Sequence, residues 1–315
     1  MRKIECFKIR LLAGEMSQIW NIEQLHIIRD IYFDRHPLNL NPVVIVADPF
    51  LFVHHNRLFL FYEEKRNYSN GVLKMTCTED LREWTEPVMV LEEPFHLSYP
   101  FVFEDEGYVY MIPETGAVGD IRLYKADDDT LEHFSFFRTL VSKDVIDGEV
   151  GYADSSVFKR EGIYYLMSSI ERAHVNYTYL FTASSLVGPY HEHLCSPLCC
   201  SAKLGRNAGS LLTDSNGHLL RVAQDCEYRY GDNVHLLQID EMSKEVYKEH
   251  LIRENLIPTD IPFYCEGGHQ YNYVFFHGKC ILATDAKEYR TYSFYRMTHK
   301  MGLVFHKLFK KLSPF

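Results

Sequence analysis

A single five-bladed β-propeller is the fold class this sequence predicts, and three observations predict it. A hairpin pattern occurs five times along the chain. Its turn residues, Asn56, Gly107, Gly162, Gly217 and Gly278, are 51, 55, 55 and 61 residues apart. Each turn is flanked by short runs rich in aromatic and β-branched residues, which favour a pleated, half-buried surface. A period of about 50 residues with several strands per unit marks radially arranged blades. Length alone, at 315 residues, would suggest two domains, but a repeat architecture overrides that prior.

The N-terminal residues 1–12 carry Ile4, Phe7, Ile9, Leu11 and Leu12 and read as a strand, whereas 17–40 separate neither helix from strand. Blade one starts near 43 and contains Asp48-Pro49-Phe50-Leu51-Phe52, the turn at Asn56, and Leu58-Phe59-Leu60-Phe61-Tyr62-Glu63. A residue tolerant of positive φ is what such a turn needs. Gly71–Cys77 is its third strand and Val88–Leu91 its outer one. Blades two to five start near 96, 151, 206 and 266, with third strands at 121–126, 177–182, 234–239 and 292–296. No fourth strand follows in blade five, so the N-terminal strand is expected to supply it and to close the ring, because an open ring would leave two bare edges. The propeller would thus occupy 1–299. Residues 300–315 form a basic amphipathic tail, with Leu303, Val304, Leu308, Phe309 and Leu312 on one face of a short helix and Lys300, Lys307, Lys310 and Lys311 on others. That tail reads either as a helix packed on the propeller's side or as a peripheral membrane contact.

Aligning the hairpins on their turns places Asp48, Tyr99, Asp154, Gly209 and Gln270 at the starts of first strands. Glu63, Glu114, Ser169, Gln224 and Asp285 fall at the ends of second strands. In an antiparallel hairpin these two ends are neighbours. Five such pairs would ring one central depression with polar side chains. Making or breaking a glycosidic bond needs one carboxyl group to handle the proton on the bridging oxygen and another to activate the attacking group or stabilise positive charge. The ring fits that need, although any single Asp or Glu at a strand end can equally bond loop amides. Beside it lie His96 and Ser98, Arg206, Asp225 next to Gln224, and His269. Arg206 suits a carboxylate or phosphate held by two parallel hydrogen bonds, or an ion pair between loops.

Net charge is −10, which argues against nucleic acid as a partner. No apolar run could span a bilayer, and Met1–Cys6 lacks a secretory core, so a cytoplasmic protein, at most at the inner face of a membrane, is expected. Eight cysteines, several within strand patterns, suit buried reduced thiols. Cys195, Cys199 and Cys200 cluster without paired CxxC spacing, and His54 and His55 read as turn residues, so no metal is assigned. Phosphate-cradling glycine loops, GxSxG and HExxH are absent, and no cofactor is assigned.

Ala47-Asp48-Pro49-Phe50 and the hairpins after it resemble the five-bladed propellers of glycoside hydrolase families 43 and 32. That resemblance implies Asp48 at the base or nucleophile position. Tyr99 stands where those enzymes have a blade-two Asp, and Asp154 replaces a blade-three Glu motif. Glu266-Gly267-Gly268-His269 resembles the acid's motif but falls in blade five. A second resemblance is to the N-terminal region of plant glucosamine inositolphosphorylceramide transferase and its bacterial relatives. It rests on Phe95–Phe103 with Met111-Ile112-Pro113-Glu114, on Arg206-Asn207-Ala208-Gly209, and on Arg221–Cys226 with Tyr230-Gly231. It covers roughly 40–290 and implies a role in building glycolipids or surface polysaccharides.

The expected function is therefore a carbohydrate-active protein of glycan assembly, transferring or cleaving a glycosyl unit from a glycan or sugar nucleotide. Asp48 would be base or nucleophile, Asp154 the orienting carboxylate and Glu114 the acid. Glu63, His96, Tyr99, Arg206, Gln224, Asp225, His269 and Asp285 would bind substrate. The alternatives are a family 43/32-type glycosidase acting on oligosaccharides and a non-catalytic sugar-binding module beside a glycosyltransferase.

Overall fold

The computed structural model describes residues 3–36, 39–146 and 151–292, and the tail 300–315 lies outside them. The first two strands are β1 (Ile4–Gly14) and β2 (His26–Ile31), joined by two short 3-10 turns. Blade one holds β3 (Val43–His54), β4 (Arg57–Arg66), β5 (Gly71–Thr78) and β6 (Val88–Leu91). Blade two holds β7 (Ser98–Asp105), β8 (Tyr108–Glu114), β9 (Ile121–Ala126) and β10 (Phe134–Val141). Blade three holds β11 (Ala153–Arg160), β12 (Ile163–Arg172) and β13 (Val175–Ala183), edged by β14 (His191–Glu192) and β15 (Cys199–Cys200). In blade four the short bridges β16 (Arg206–Asn207) and β17 (Leu212–Thr213) share β18 (Leu219–Asp225), followed by β19 (Asn233–Met242) and β20 (Tyr247–Arg253). Blade five holds β21 (Tyr271–Phe276) and β22 (Lys279–Arg290).

The fifth sheet runs in the order β2-β1-β22-β21, so the chain's start supplies two strands, not one. The sequence reading put 292–296 third in that blade. That position is occupied by β1, which pairs with β22 along eleven residues from Ile4↔Arg290 to Gly14↔Cys280. Residues 293–296 lie outside the described residues; Tyr292 is buried and its hydroxyl donates to the Asp34 carbonyl. That eleven-residue antiparallel ladder holds β1 at the edge of β22, because each paired residue adds main-chain bonds and cross-strand contacts.

Turn chemistry explains why the hairpins form where they do. His55 and Asn56, Glu106 and Gly107, Glu161 and Gly162, and His277 and Gly278 are consecutive positive-φ pairs. Such pairs match the right-handed twist of the strands they join. The apolar layers lie between blades. One packs blades one to three around Phe61, Met111, Tyr124 and Phe181, another packs blade five on blade four around Val222, Tyr264 and Leu282, and a third joins blade five to blade one around Ile9, Leu60 and Ile281.

Candidate functional site

The ring positions share a backbone feature that aims their side chains. Asp48, Tyr99 and Asp154 have φ of 53°, 48° and 51°. The strand register slips at the same place in each blade, between Ala47 and Phe50, Ser98 and Phe101, and Ala153 and Ser156. A bulge of this kind bends the strand and redirects one residue. The equivalent residue in blade four is Gly209, where an added Cβ would meet the Tyr271 carbonyl oxygen at 2.5 Å. Only glycine fits there.

At the bottom of the ring an imidazole sits between two carboxylates. His269 Nε2 is 3.0 Å from Asp48 Oδ1, and Nδ1 is 2.9 Å from Asp285 Oδ2. All three residues are buried. Asp285 also accepts the main-chain N–H groups of His269, Gln270 and Asp48, and Asp48 accepts that of Tyr99 at 3.0 Å. One segment is therefore tied to blades one, two and five by two carboxylates. Burial alone would lower the His269 pKa, but the Asp285 and Asp48 charges and hydrogen bonds outweigh it and hold the imidazole well above its ordinary value. Desolvation likewise opposes ionisation of Asp48, yet the His269 bond and charge and the Tyr99 amide keep its carboxyl below the usual range. Asp48, His269 and Asp285 also offer ligand atoms within 4.8 Å of one another, a set able to hold an ion in place of the shared protons.

Next to this lies a second layer centred on Arg206, whose side chain is 14% exposed. Its Nε donates to Asp154 Oδ2 at 2.6 Å and its Nη2 reaches Glu114 Oε2 at 3.4 Å. Gln224 Nε2 donates to the same Asp154 oxygen at 3.1 Å and to the Asn207 carbonyl at 2.7 Å. The Tyr230 ring covers the guanidinium at 5.1 Å and lies 5.1 Å from the His269 ring. Lys287, buried in blade five, holds that loop by donating to the Tyr230 carbonyl. Gly231 follows with φ of 63°, and a Cβ there would press on His269 Cβ at 2.9 Å.

Protonation differs sharply around the ring. Burial, the charge and hydrogen bond of Asp154 and the Asp48 charge push Glu114 up to about 8, against the partial relief of Arg206. Burial also raises Asp154, with Arg206 pulling the other way. Glu63 is raised well above the ordinary carboxylate range by burial and by the Asp48 charge. Its Oε1 has no hydrogen-bond partner, and His96 Nε2 stands 3.5 Å away. His96 Nδ1 accepts from the Gly71 amide at 2.9 Å, which assigns the ring proton to Nε2; burial and Lys65 lower its pKa. The Tyr99 hydroxyl and both ends of the Gln270 amide are also buried without partners. Buried polar groups in folded proteins are nearly always satisfied, so these groups are exceptions within the ring.

The structure thus brings Asp48, Glu63, His96, Tyr99, Glu114, Asp154, Arg206, Gln224, His269 and Asp285 to one hollow. Asp225 is not among them. Strand alternation turns its side chain to the far face of β18, where Oδ2 lies 3.0 Å from the buried His235 Nε2. Tyr230 and Gln270 belong to the site although the sequence reading assigned neither a role; Gln270 occupied a ring position in the repeat and was the available signal.

A five-bladed β-propeller with a cluster of carboxylates where its blades meet is thereby defined. The profile of the family described as "Glucosamine inositolphosphorylceramide transferase 1, N-terminal" matches residues 37–261, and the chain belongs to that family. It is 36% identical over 218 residues to glucosamine inositolphosphorylceramide transferase 1 of Oryza sativa subsp. indica and 31% identical to that of Arabidopsis thaliana. The match takes in 66% of this chain but spans only 28% and 27% of those relatives' lengths. Among solved structures, the catalytic domain of a Coprinopsis cinerea GH62 alpha-L-arabinofuranosidase superposes with a TM-score of 0.58 at 11% identity, covering 76% of this chain and 90% of that one. A thermostable family-43 glycoside hydrolase superposes with a TM-score of 0.52 at 14% identity, covering 68% and 76%. These likenesses show the fold.

Proposed function

We propose that the hollow binds a glycan or sugar nucleotide and transfers or cleaves a glycosyl unit. The observation that carries this is a pair of carboxyl groups whose protonation is driven apart: Glu114, raised to about 8, keeps its proton at neutral pH, while Asp48 is held ionised. Such a division of roles is what acid–base chemistry on a glycosidic oxygen requires. Glu114, partly open to solvent, donates its proton to the leaving oxygen. Asp48 takes the proton of the attacking hydroxyl, or faces the positive charge that develops on the sugar ring. Asp154 fixes Arg206, and Arg206 in turn keeps the Glu114 acid from rising further. Tyr230 supplies a ring against which a sugar face can rest, and the orphaned Glu63, Tyr99 and Gln270 groups accept or donate to its hydroxyls. The names of the plant relatives support a glycolipid acceptor. The test is turnover of a sugar-nucleotide donor with phosphoinositol sphingolipid acceptors, comparing wild type with Asp48→Asn and Glu114→Gln. Retention of full activity by both variants would overturn the assignment.

A specific observation favours a second reading, a non-catalytic sugar-binding module. Both Asp48 oxygens are already engaged, one by His269 and one by the Tyr99 amide, and Tyr99 stands where related hydrolases carry a second Asp. Calorimetry separates the readings: saturable glycan binding with no turnover, unaffected by Glu114→Gln, supports the module.

A further inference from the structure

At the rim opposite the carboxylate hollow, two blades meet in a cluster of metal-ligating groups. His54 ends β3, His55 opens the turn after it, Asp129 lies in the β9–β10 loop of blade two, and Glu104 stands on β7. Six residues of extended chain separate His54 from Asp48, a span of about 20 Å, so this cluster is independent of the hollow. One ring nitrogen of each histidine and one Asp129 oxygen lie within 4.8 Å of one another. The two rings are 3.9 Å apart.

Two features distinguish the cluster from ordinary surface ion pairs. First, the His54 side chain is only 9% exposed, and its Nε2 is buried without a hydrogen-bond partner. A buried imidazole nitrogen left unpaired is costly unless something binds it. Second, the histidine–carboxylate contacts are too long for hydrogen bonds: His54 Nδ1 to Glu104 Oε2 is 3.6 Å and His55 Nε2 to Asp129 Oδ2 is 3.7 Å. Ligand atoms sharing one tetrahedral zinc, with bonds of about 2.0–2.1 Å, sit about 3.4 Å apart. The spacing suits a shared ion better than a shared proton.

We propose that His54, His55 and Asp129 form a zinc-type site, completed or oriented by Glu104, that fastens the inner hairpin of blade one to the outer loop of blade two. Two imidazoles and a carboxylate are borderline ligands, suited to Zn²⁺ or Co²⁺ and not to Ca²⁺ or Mg²⁺. His55 and Asp129 are exposed, so both ligands can close the last ångström by side-chain rotation.

The test uses the full chain with zinc chloride in calorimetry and in thermal unfolding, and cobalt(II) chloride in absorption spectroscopy. Wild type should bind one Zn²⁺ and unfold at higher temperature with the metal. His55→Ala and Asp129→Ala, both at exposed positions, should fold normally, lose affinity at least tenfold and lose the thermal shift. The cobalt complex should show a tetrahedral ligand-field band without thiolate charge transfer, which separates this site from Cys195, Cys199, Cys200 and Cys265. Absence of Zn²⁺ binding, affinity undiminished from wild type in the two variants, or a thiolate band would each overturn the proposal.

Discussion

Arg206 Nε donates to Asp154 Oδ2 at 2.6 Å, a bond from blade four to blade three with both side chains almost out of reach of water. The same guanidinium also reaches Glu114 of blade two, so one cation spans three blades. Arg206→Gln should leave the fold intact, since the ring amides and the interblade layers remain. It removes the charge that lowers Glu114, so the basic limb of a pH–activity profile should move upward from about pH 8 while activity falls at least tenfold. Arg206→Lys should rescue the pH limb in part but not the binding, because an ammonium cannot span both carboxylates. A pH profile of kcat for the two variants checks this.

Glu114→Gln tests the acid directly. Turnover should fall by about 10²–10⁴ with little change in substrate binding. Stability gives a second readout. The folded pKa is raised from an ordinary 4.5 to about 8, so the stability linked to that proton is complete below about pH 4.5 and is lost as pH rises through 8. Glutamine has no proton to lose. The variant should therefore gain on wild type between pH 5 and 9, by an amount on the order of 1–3 kcal/mol, in urea titrations at several pH values.

His269→Gln should destabilise the propeller by about 3–5 kcal/mol at neutral pH, because it leaves Asp48 and Asp285 buried without their cation. The His269 pKa is raised, so this contribution is present in full below about pH 6.5 and is lost only as pH rises through the elevated folded value. The deficit of the variant should be constant below about pH 6.5 and shrink progressively as pH rises above it. A deficit that vanished already between pH 6 and 7 would contradict the charged imidazole.

Outside the hollow, Arg221 is fully buried and grips Glu249 through two bonds of 2.8 and 2.6 Å while donating twice to the Leu204 carbonyl. Arg221→Met should cost about 3–5 kcal/mol by stranding the Glu249 charge. Pairing it with Glu249→Leu should recover most of the loss, and the double-mutant cycle measures the coupling.

Gly71→Ala should disturb site and fold together. A Cβ there would approach the Leu97 carbonyl oxygen to 2.4 Å and the Glu63 Oε1 to 2.6 Å. Backbone cannot yield cheaply, so a loss of about 1–3 kcal/mol is expected, with weakened ligand binding through displaced Glu63 and His96. Thermal melts and calorimetry read the two effects.

The parts of this architecture that were legible in sequence are those under local steric rule. Asn56, Gly107, Gly162 and Gly278 sit at hairpin turns that demand positive φ, and the strands beside them are buried on both faces, so the repeat and the ring register stand out. The outer strands do not. β10 has four consecutive exposed residues and a half-buried fifth after Phe134, β20 is exposed along most of its length, and β14 and β15 hold two residues each. A sheet edge facing water has no apolar period to read. Contacts between chain ends are equally silent: Lys8 bonds Glu288 across 280 residues, and nothing local at either residue announces the other. Within the ring, alternation along β18 sends Gln224 inward and Asp225 outward, a difference that neighbouring polar residues in sequence do not reveal. Tyr230 comes from a loop and depends on Lys287, which belongs to another blade.

Because β1 and β2 complete the fifth sheet beside β22, the stretch 37–261 recognised by the family profile holds four sheets, and the fifth comes wholly from its flanks. During synthesis β1 and β2 emerge first and can pair with each other, but the other edge of β1 must wait until residues 279–290 have left the ribosome. The disc can therefore latch only as its last sheet is delivered. A gene fragment trimmed to residues 37–261 should yield sticky, self-associating material, whereas one reaching from residue 4 to residue 292 should yield a soluble particle.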